Sequence, residues 1–300
     1  MTRSEDSPFM EKSVPRSRIR FIALFLALAP VLFPALFPTR SQAQTKGVVN
    51  FGRLKNLEFI NQFYDGGQGS LGSGPGPNYG LQFTSNAQTI ISASKGGSGN
   101  FIGNPGGGPV MFFQTGNVTT ITATNGVQTA LWFYYSALQT GSATVYSGPN
   151  GTGTILASIT LPVNNSGCNT YKMCVWSTVG VPLSKTAGSI SFAGVPDYLA
   201  IGIMHLGSAL PTSMVLVSSQ NPSVQGEPVT FTAAVTATGT APVGNVTFKA
   251  GTTVLGVVPV ASGVASITVS SLKTGSTHIS AKFVGAGFAT VSKSLSQVVN

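Results

Sequence analysis

Apolar and hydroxylated residues alternate over long stretches of the C-terminal part of this chain. In the segment 229–236, Val, Phe, Ala and Val occupy every second position, and Thr or Ala lies between them. A period of two puts the apolar residues on one face of a β-strand and the hydroxyls on the other. The alternation returns at 246–248, 265–269 and 279–283, between turn signals at the spacing of a β-sandwich. This pattern predicts an all-β domain.

A second, aromatic strand pattern occupies the segment LWFYYS. Leu131, Phe133 and Tyr135 share one face, whereas Trp132 and Tyr134 share the other with a serine. The first face is predicted to fill a core, and the second could present flat rings to a saccharide. The alternative is that both faces are simply buried. The candidate binding residues are Trp132, Tyr134, Tyr146 and Trp176, with Tyr79 and Tyr198 as further rings.

Composition divides the chain near residue 212. The segment 48–210 is rich in glycine and aromatic residues, whereas aromatics become scarce afterwards. We therefore predict a glycine-rich β-sandwich over 44–212 and a second β-sandwich over 213–300, joined by a short linker that permits limited swing. The glycines do not indicate a nucleotide site, because no Gly-Lys-Ser/Thr follows them and no amphipathic helix begins there.

The N-terminal residues 1–43 have the pattern of an export signal. Arg16, Arg18 and Arg20 precede the apolar run 21–37, and Ser41-Gln42-Ala43 suits signal-peptidase cleavage before Gln44. The alternative is an uncleaved membrane anchor, which Pro30 and Pro34 in the apolar run and Pro38 directly after it disfavour. We expect a secreted or cell-surface protein with no transmembrane span after cleavage.

Charge and cysteine usage agree with that location. Charged residues make up 8% of the chain, and the region after the leader carries ten basic and four acidic residues, scattered rather than clustered. Nucleic acid is therefore not a predicted partner. The excess of basic over acidic residues serves solubility or a weak attraction to anionic polysaccharide or lipid. Cys168 and Cys174 are predicted to form a disulfide in an oxidising compartment, since neither a redox motif nor zinc ligands accompany them.

Few residues after the leader could perform acid–base catalysis. The carboxylates are Glu58, Asp65, Asp197 and Glu227, and the histidines are His205 and His278. Strand parity places His278 towards solvent, where a lone histidine is a poor base. Glu58 and Asp65 could form a glycosidase pair, but nothing in the sequence positions them across a cleft, and no nucleophile elbow is present.

Glu58 and Asp65 are also the candidate ligands of a structural calcium ion. Calcium prefers six to eight oxygen ligands, and Asn78 and loop carbonyls could supply some of the remainder. No other cofactor is predicted.

Two resemblances accompany these patterns. The stretches SSQNPSVQGEPVTFTAAVT, GNVTFKAG, GVASITVSSLKTGSTHISAKFVG and LSQVV resemble the bacterial immunoglobulin-like repeat across residues 215–299. Ala286 replaces an acidic residue that the family often has. The resemblance implies a spacer or adhesive module.

The stretches FYDGGQGSLGSGPGPNYGLQF, GGSGNF, VMFF, LWFYYS, VYSGPNGTGTILASITL, CVWSTVGV and AGSISFAG resemble the N-terminal domain of secreted bacterial proteins of the PEP-CTERM type. This resemblance implies a jelly-roll sandwich, similar in architecture to carbohydrate-binding modules, in a protein linked with exopolysaccharide. The family's late Asp, which could serve a structural calcium, is missing, because residues 201–204 are Ile, Gly, Ile and Met.

Together, these patterns predict an all-β protein with a jelly-roll-like and then an immunoglobulin-like sandwich. Its predicted function is non-catalytic adhesion or binding of extracellular matrix or carbohydrate, with the second domain as a spacer. The alternatives are a purely structural matrix component and an extracellular glycan hydrolase. The predicted partner is an extracellular polysaccharide or a cell-surface component.

Overall fold

The computed structural model describes residues 43–300, and in that range the secondary structure is β-strand apart from one short 3-10 helix, Ala93–Lys95. The all-β prediction is confirmed. Apart from Ala43, the predicted signal peptide lies outside the described residues. In 43–300, no helix is long and apolar enough to cross a membrane.

Twelve strands form the first sandwich. One sheet has seven strands in the order β10-β7-β12-β5-β4-β2, with β1 paired to β12, and the other has five in the order β3-β6-β11-β8-β9. The strands are, in chain order, β1 (Gly47–Val49), β2 (Glu58–Phe59), β3 (Leu81–Phe83), β4 (Gln88–Ile90), β5 (Val110–Phe112), β6 (Val118–Val127), β7 (Ala130–Ala137), β8 (Gly141–Tyr146), β9 (Ile155–Leu161), β10 (Ser177–Pro182), β11 (Ala187–Ala193) and β12 (Leu199–Leu206).

The alternation in β7 builds the core between these two sheets. Leu131, Phe133 and Tyr135 are buried in it, whereas the side chains between them are partly exposed on the outer face. The Phe133 ring meets Phe192 of β11 edge to face, with centroids 5.1 Å apart, and so joins the seven-stranded sheet to the five-stranded sheet. The predicted division of this strand into an inner and an outer face is confirmed.

Seven strands form the second sandwich. A three-stranded sheet has the order β13-β14-β17, and a four-stranded sheet has the order β16-β15-β18-β19. The strands are β13 (Thr212–Ser218), β14 (Val229–Ala237), β15 (Asn245–Ala250), β16 (Thr253–Pro259), β17 (Val264–Val269), β18 (Gly275–Val284) and β19 (Val291–Val299).

The predicted alternation in β14 holds. Phe231 and its apolar neighbours are buried, whereas Thr230 and Thr232 face outward and exchange hydroxyl hydrogen bonds with Thr268 and Ser266 of β17. His278 is exposed, as its strand parity predicts.

Backbone atoms of the two sandwiches are in direct contact. The amide of Gly180 in β10 donates to the carbonyl of Gly239 at 3.0 Å, and the amide of Leu210 donates to the carbonyl of Gly287 at 2.8 Å. Leu210 and Ala130 are buried in the second core. Strand β13 begins at Thr212, next to the predicted domain boundary; the boundary itself stays a prediction.

Candidate functional site

The outer face of the seven-stranded sheet carries a row of rings, which we call the aromatic strip. Its members are His205 on β12, Trp132 and Tyr134 on β7, Trp176 immediately before β10, and Phe101 in the loop before β5. Three of the four predicted binding residues therefore lie together.

Trp132 forms one end of the strip. Its indole stacks on the imidazole of His205, which is its neighbour across the β7–β12 pair. Trp132 also packs against the core of the second sandwich. Burial lowers the pKa of His205, because desolvation disfavours the imidazolium. One ring face of Trp132 is thus already occupied, which strand parity alone did not predict.

Gly202 lies beside both Tyr134 and Trp176 in the middle of the strip. The pairing of β12 with β7 shifts between Ile201 and Met204, and this irregularity leaves Gly202 beside Tyr134. A Cβ atom on Gly202 would lie 3.3 Å from the Tyr134 Cβ and 3.6 Å from the Trp176 ring. The absence of a side chain at residue 202 therefore leaves space next to both aromatic residues.

Trp176 holds the other end of the strip in place. Its indole nitrogen donates to the carbonyl of Ile102 at 3.0 Å, and its ring meets Phe101 edge to face with centroids 6.0 Å apart. Tyr134 meets Trp132 in the same way at 5.9 Å. Ring contacts thus join Trp132 to His205 and Tyr134 at one end of the strip and Trp176 to Phe101 at the other. Gly202 lies between the two groups of rings.

Tyr146, the fourth predicted binding residue, lies elsewhere. It ends β8 in the five-stranded sheet, beside the turn that contains Gly151, and its side chain is partly exposed. The structure does not bring Tyr146 to the aromatic strip, since the two sheets present opposite outer faces.

A cleft of about 590 Å³ adjoins the Phe101 end of the strip. Its floor is apolar, its sides are the loop 98–101 and the segment 172–173, and polar residues stand at its mouth. Its lining includes Phe101, Val110, Phe112, Gln114, Lys172, Asp197, Tyr198 and Ala200. Sequence reasoning missed this cleft, because its walls come from segments that are far apart in the chain. Tyr198 was the one signal that pointed to it.

The predicted disulfide is present and supports one wall of the cleft. Cys168 and Cys174 are bonded, with their Cα atoms 5.5 Å apart. Within the loop they close, the amide of Lys172 donates to the side-chain oxygen of Asn100 at 2.9 Å, and the amide of Met173 donates to the Asn100 carbonyl at 3.2 Å. The disulfide loop and the loop before β5 are therefore paired.

Glu58 is enclosed and fully bonded. Its side chain has no exposed surface, and it accepts hydrogen bonds from the amides of Lys55, Leu71 and Ser73 and from the Ser73 hydroxyl. Desolvation by itself raises the pKa of this carboxyl, but the four donors outweigh it and lower the pKa. Glu58 thus ties the glycine-rich loop after β2 to the sheet.

Asp65 has different partners. Its backbone forms an isolated antiparallel β-bridge with Asn78, and its carboxylate accepts a hydrogen bond from the side-chain amide of Gln82 at 3.1 Å. In residues 43–300, no three His, Cys, Asp or Glu residues are grouped as metal ligands would be. Calcium at Glu58 and Asp65 stays a prediction, to be tested by measuring the melting temperature with and without a chelator.

The fold and the strip together define a tandem β-sandwich protein with a ring-bearing outer face. Within it, residues 216–300 match the family model of the bacterial Ig-like domain (group 3). The predicted resemblance of this segment is confirmed, whereas the PEP-CTERM resemblance of the first sandwich stays a prediction. No curated protein matches the chain.

Several solved structures share weak similarity with the chain. They include the glycoside hydrolase domain of Endo-D from Streptococcus pneumoniae, with 13% identity, a TM-score of 0.27, and coverage of 73% of this chain and 37% of that chain. A carbohydrate-binding module from Cellvibrio mixtus lichenase 5A, in complex with cellotriose, has 14% identity, a TM-score of 0.26, and coverage of 41% and 86%. The fibronectin(III)-like modules of Clostridium thermocellum CbhA have 13% identity, a TM-score of 0.27, and coverage of 62% and 86%. The chain spans little more than a third of the Endo-D structure, and TM-scores this low carry no functional argument.

Proposed function

We propose that this protein is a secreted or cell-surface, non-catalytic protein that binds extracellular carbohydrate through the aromatic strip. The second sandwich serves as a spacer that holds the strip away from the surface to which the protein attaches. The observation that carries the proposal is that two partly exposed aromatic residues, Tyr134 and Trp176, lie beside the same residue, Gly202, on the outer face of the sheet.

Two partly exposed rings on a rigid sheet form a surface that suits a saccharide. Aromatic side chains offer a large apolar surface at little cost in conformational entropy, and the C–H face of a sugar ring is flat and apolar. Both rings are held by the sheet or by a hydrogen bond, so little ordering is needed on binding. The Cys168–Cys174 disulfide is typical of an oxidising compartment and supports an extracellular location.

A non-catalytic role agrees with the state of Glu58. Its carboxylate is enclosed and saturated with donors, so a substrate could reach it only after those bonds break. Asp65 alone does not supply the pair of carboxylates that glycosidases require.

Binding of the purified protein to a glycan array and to insoluble polysaccharides tests the proposal. We expect selective binding that falls on the order of tenfold in Tyr134→Ala and in Trp176→Ala, because each change removes a stacking surface. Tyr146→Ala is the matched control, since it removes a partly exposed ring from the other sheet. Failure to bind any glycan would leave the structural matrix component as the function, and released sugar products would indicate a hydrolase.

A further inference from the structure

We propose that the cleft beside Phe101 is a second part of the binding site and takes a short neutral oligosaccharide, whose remaining units lie along Trp176 and Tyr134. This inference rests on the proposed carbohydrate-binding function and names the class of ligand. Apart from Tyr198, it adds residues that neither the sequence pattern nor the family match assigns.

The size and position of the cleft suit such a ligand. Its volume, about 590 Å³, lies within the range of small-molecule sites, roughly 300–1,000 Å³. Phe101 lines the cleft and also contacts Trp176 edge to face, so the strip and the cleft adjoin without an intervening element. A bound chain can therefore occupy both.

The lining combines an apolar floor with a polar mouth. The floor consists of buried side chains of two neighbouring strands of the seven-stranded sheet, namely Val110 and Phe112 of β5 and Ala200 of β12. Gln114, Lys172, Asp197 and Tyr198 at the mouth are exposed, and none of their side chains hydrogen-bonds to another described residue. They can exchange water for ligand hydroxyls. A sugar presents an apolar face to such a floor, and its hydroxyls both donate and accept.

The charges at the mouth favour a neutral ligand. Lys172 supplies one cation and Asp197 supplies one anion. A chain of uronates or of amino sugars meets one attractive and one repulsive group there, so it must lose hydration at its charges without a net electrostatic gain. Neutral hydroxyls can accept from the ammonium and donate to the carboxylate at the same time.

The backbone at Asp197 is unusual. Its φ of 65° lies in the left-handed region, which few residues other than glycine adopt. The Asp197 amide donates to the Phe113 carbonyl at 3.0 Å and holds this conformation. Asp197 is the third residue of a β-turn closed by the hydrogen bond from the Tyr198 amide to the Val195 carbonyl, and this turn holds the carboxylate at the mouth of the cleft. Asparagine tolerates the same conformation, so Asp197→Asn changes the charge without changing the backbone preference.

Calorimetric titration of the full protein tests the inference, with cellohexaose and laminarihexaose as neutral probes and hexaguluronate and chitosan hexaose as charged ones. We expect at least one neutral probe to bind, and both charged probes to bind on the order of tenfold more weakly. Tyr198→Ala should weaken the neutral probe about fivefold or more, and Asp197→Asn about threefold or more. The matched control Tyr146→Ala should leave the affinity unchanged. The melting temperature of each variant checks that the fold is intact.

Three results would overturn the inference. Binding that is lost in Tyr134→Ala but unchanged in Tyr198→Ala and Asp197→Asn would refute the cleft while leaving the proposed function standing. A charged probe that binds as tightly as the neutral ones would refute the ligand class. Absence of binding to all four hexasaccharides and to the polysaccharides would refute both proposals.

Discussion

The indole of Trp132 stacks face to face on the imidazole of His205, with ring centroids 3.6 Å apart and ring planes inclined by 6°. The two residues are 73 positions apart in the sequence and meet because β12 pairs with β7. Trp132 also packs against the core of the second sandwich. A charge on His205 would therefore arise next to the contact between the two sandwiches.

The stability of the protein should depend on pH through His205. Burial lowers the pKa of His205 in the folded state, so the unfolded chain binds the proton first as the pH falls. The contribution to stability is complete above the unfolded histidine pKa of about 6.5 and is lost as the pH falls from there through the lowered folded pKa. We expect the free energy of unfolding to decrease between about pH 7.5 and about pH 5, as measured by urea denaturation.

The second histidine provides the control for this effect. His205→Gln should weaken the pH dependence in that interval, whereas His278→Gln, at an exposed position, should retain it. Titration of the two imidazoles by NMR gives the pKa of each directly. A His205 pKa at or above that of an unfolded peptide would contradict the prediction and would point to a cation–π contact with Trp132 instead.

Glu58 should contribute strongly to stability at neutral pH. Glu58→Gln replaces one acceptor oxygen by an amide NH₂, which then faces two of the four donors. These are the amides of Leu71 and Ser73 at Oε1, or the Lys55 amide and the Ser73 hydroxyl at Oε2. Loss of a buried, multiply bonded carboxylate should lower the free energy of unfolding by about 3 kcal/mol. The pKa of Glu58 is lowered on folding, so its contribution is present above the unfolded pKa of about 4.3 and is lost as the pH falls through the folded pKa.

Glu227→Gln is the matched control for Glu58→Gln. Glu227 is exposed, so its substitution should change the free energy of unfolding by less than about 0.5 kcal/mol. Equal effects of the two variants in chemical denaturation would show that the Glu58 hydrogen bonds do not stabilise the fold.

The sequence predicted those features that depend on neighbouring positions. The inner face of β7 followed from strand parity, because Leu131, Phe133 and Tyr135 lie two positions apart, and the geometry of a strand fixes the rest. The disulfide followed from two cysteines with five residues between them in a chain with a predicted export signal. The same local reasoning placed His278 in solvent.

Features that depend on long-range pairing were not predictable in this way. The stacking of His205 on Trp132 depends on the register of β12, and the position of Gly202 beside Tyr134 and Trp176 depends on the irregularity in the β7–β12 pairing. The burial of Glu58 depends on the path of a glycine-rich loop that has no periodic pattern. Sequence reasoning therefore found the strip but neither its occupied end nor the cleft.

Removal of the disulfide should loosen one wall of the cleft. In Cys168→Ser/Cys174→Ser, the amides of Met173 and Ile102, which bond across to the opposite loop, should exchange with deuterium at least tenfold faster, because the short loop is no longer closed. The amide of Gly180 in β10 should keep its protection. The entropy of so short a loop limits the loss of global stability to about 2 kcal/mol.

Reductant supplies the control for this prediction. The wild-type protein in reductant should exchange like the double variant, and reductant should not alter the double variant further. Unchanged protection of Met173 in both cases would show that the hydrogen bonds to Asn100 hold the wall without the disulfide.

A methyl group at Gly180 should weaken the contact between the two sandwiches. A Cβ atom there would lie 2.2 Å from the carbonyl oxygen of Thr238, so the backbones cannot keep their distance and the bond from Gly180 to Gly239 should be lost. Crowding of this kind costs about 1–3 kcal/mol. Gly180→Ala should lower the free energy of unfolding by that amount and should lower and broaden the calorimetric transition, because one of the contacts that couple the two sandwiches is lost while those of Leu210 remain. Gly52→Ala is the control, since a Cβ on Gly52 would have no neighbour nearer than 3.8 Å. A single transition with the same midpoint in both variants would show that the contact does not couple the two sandwiches.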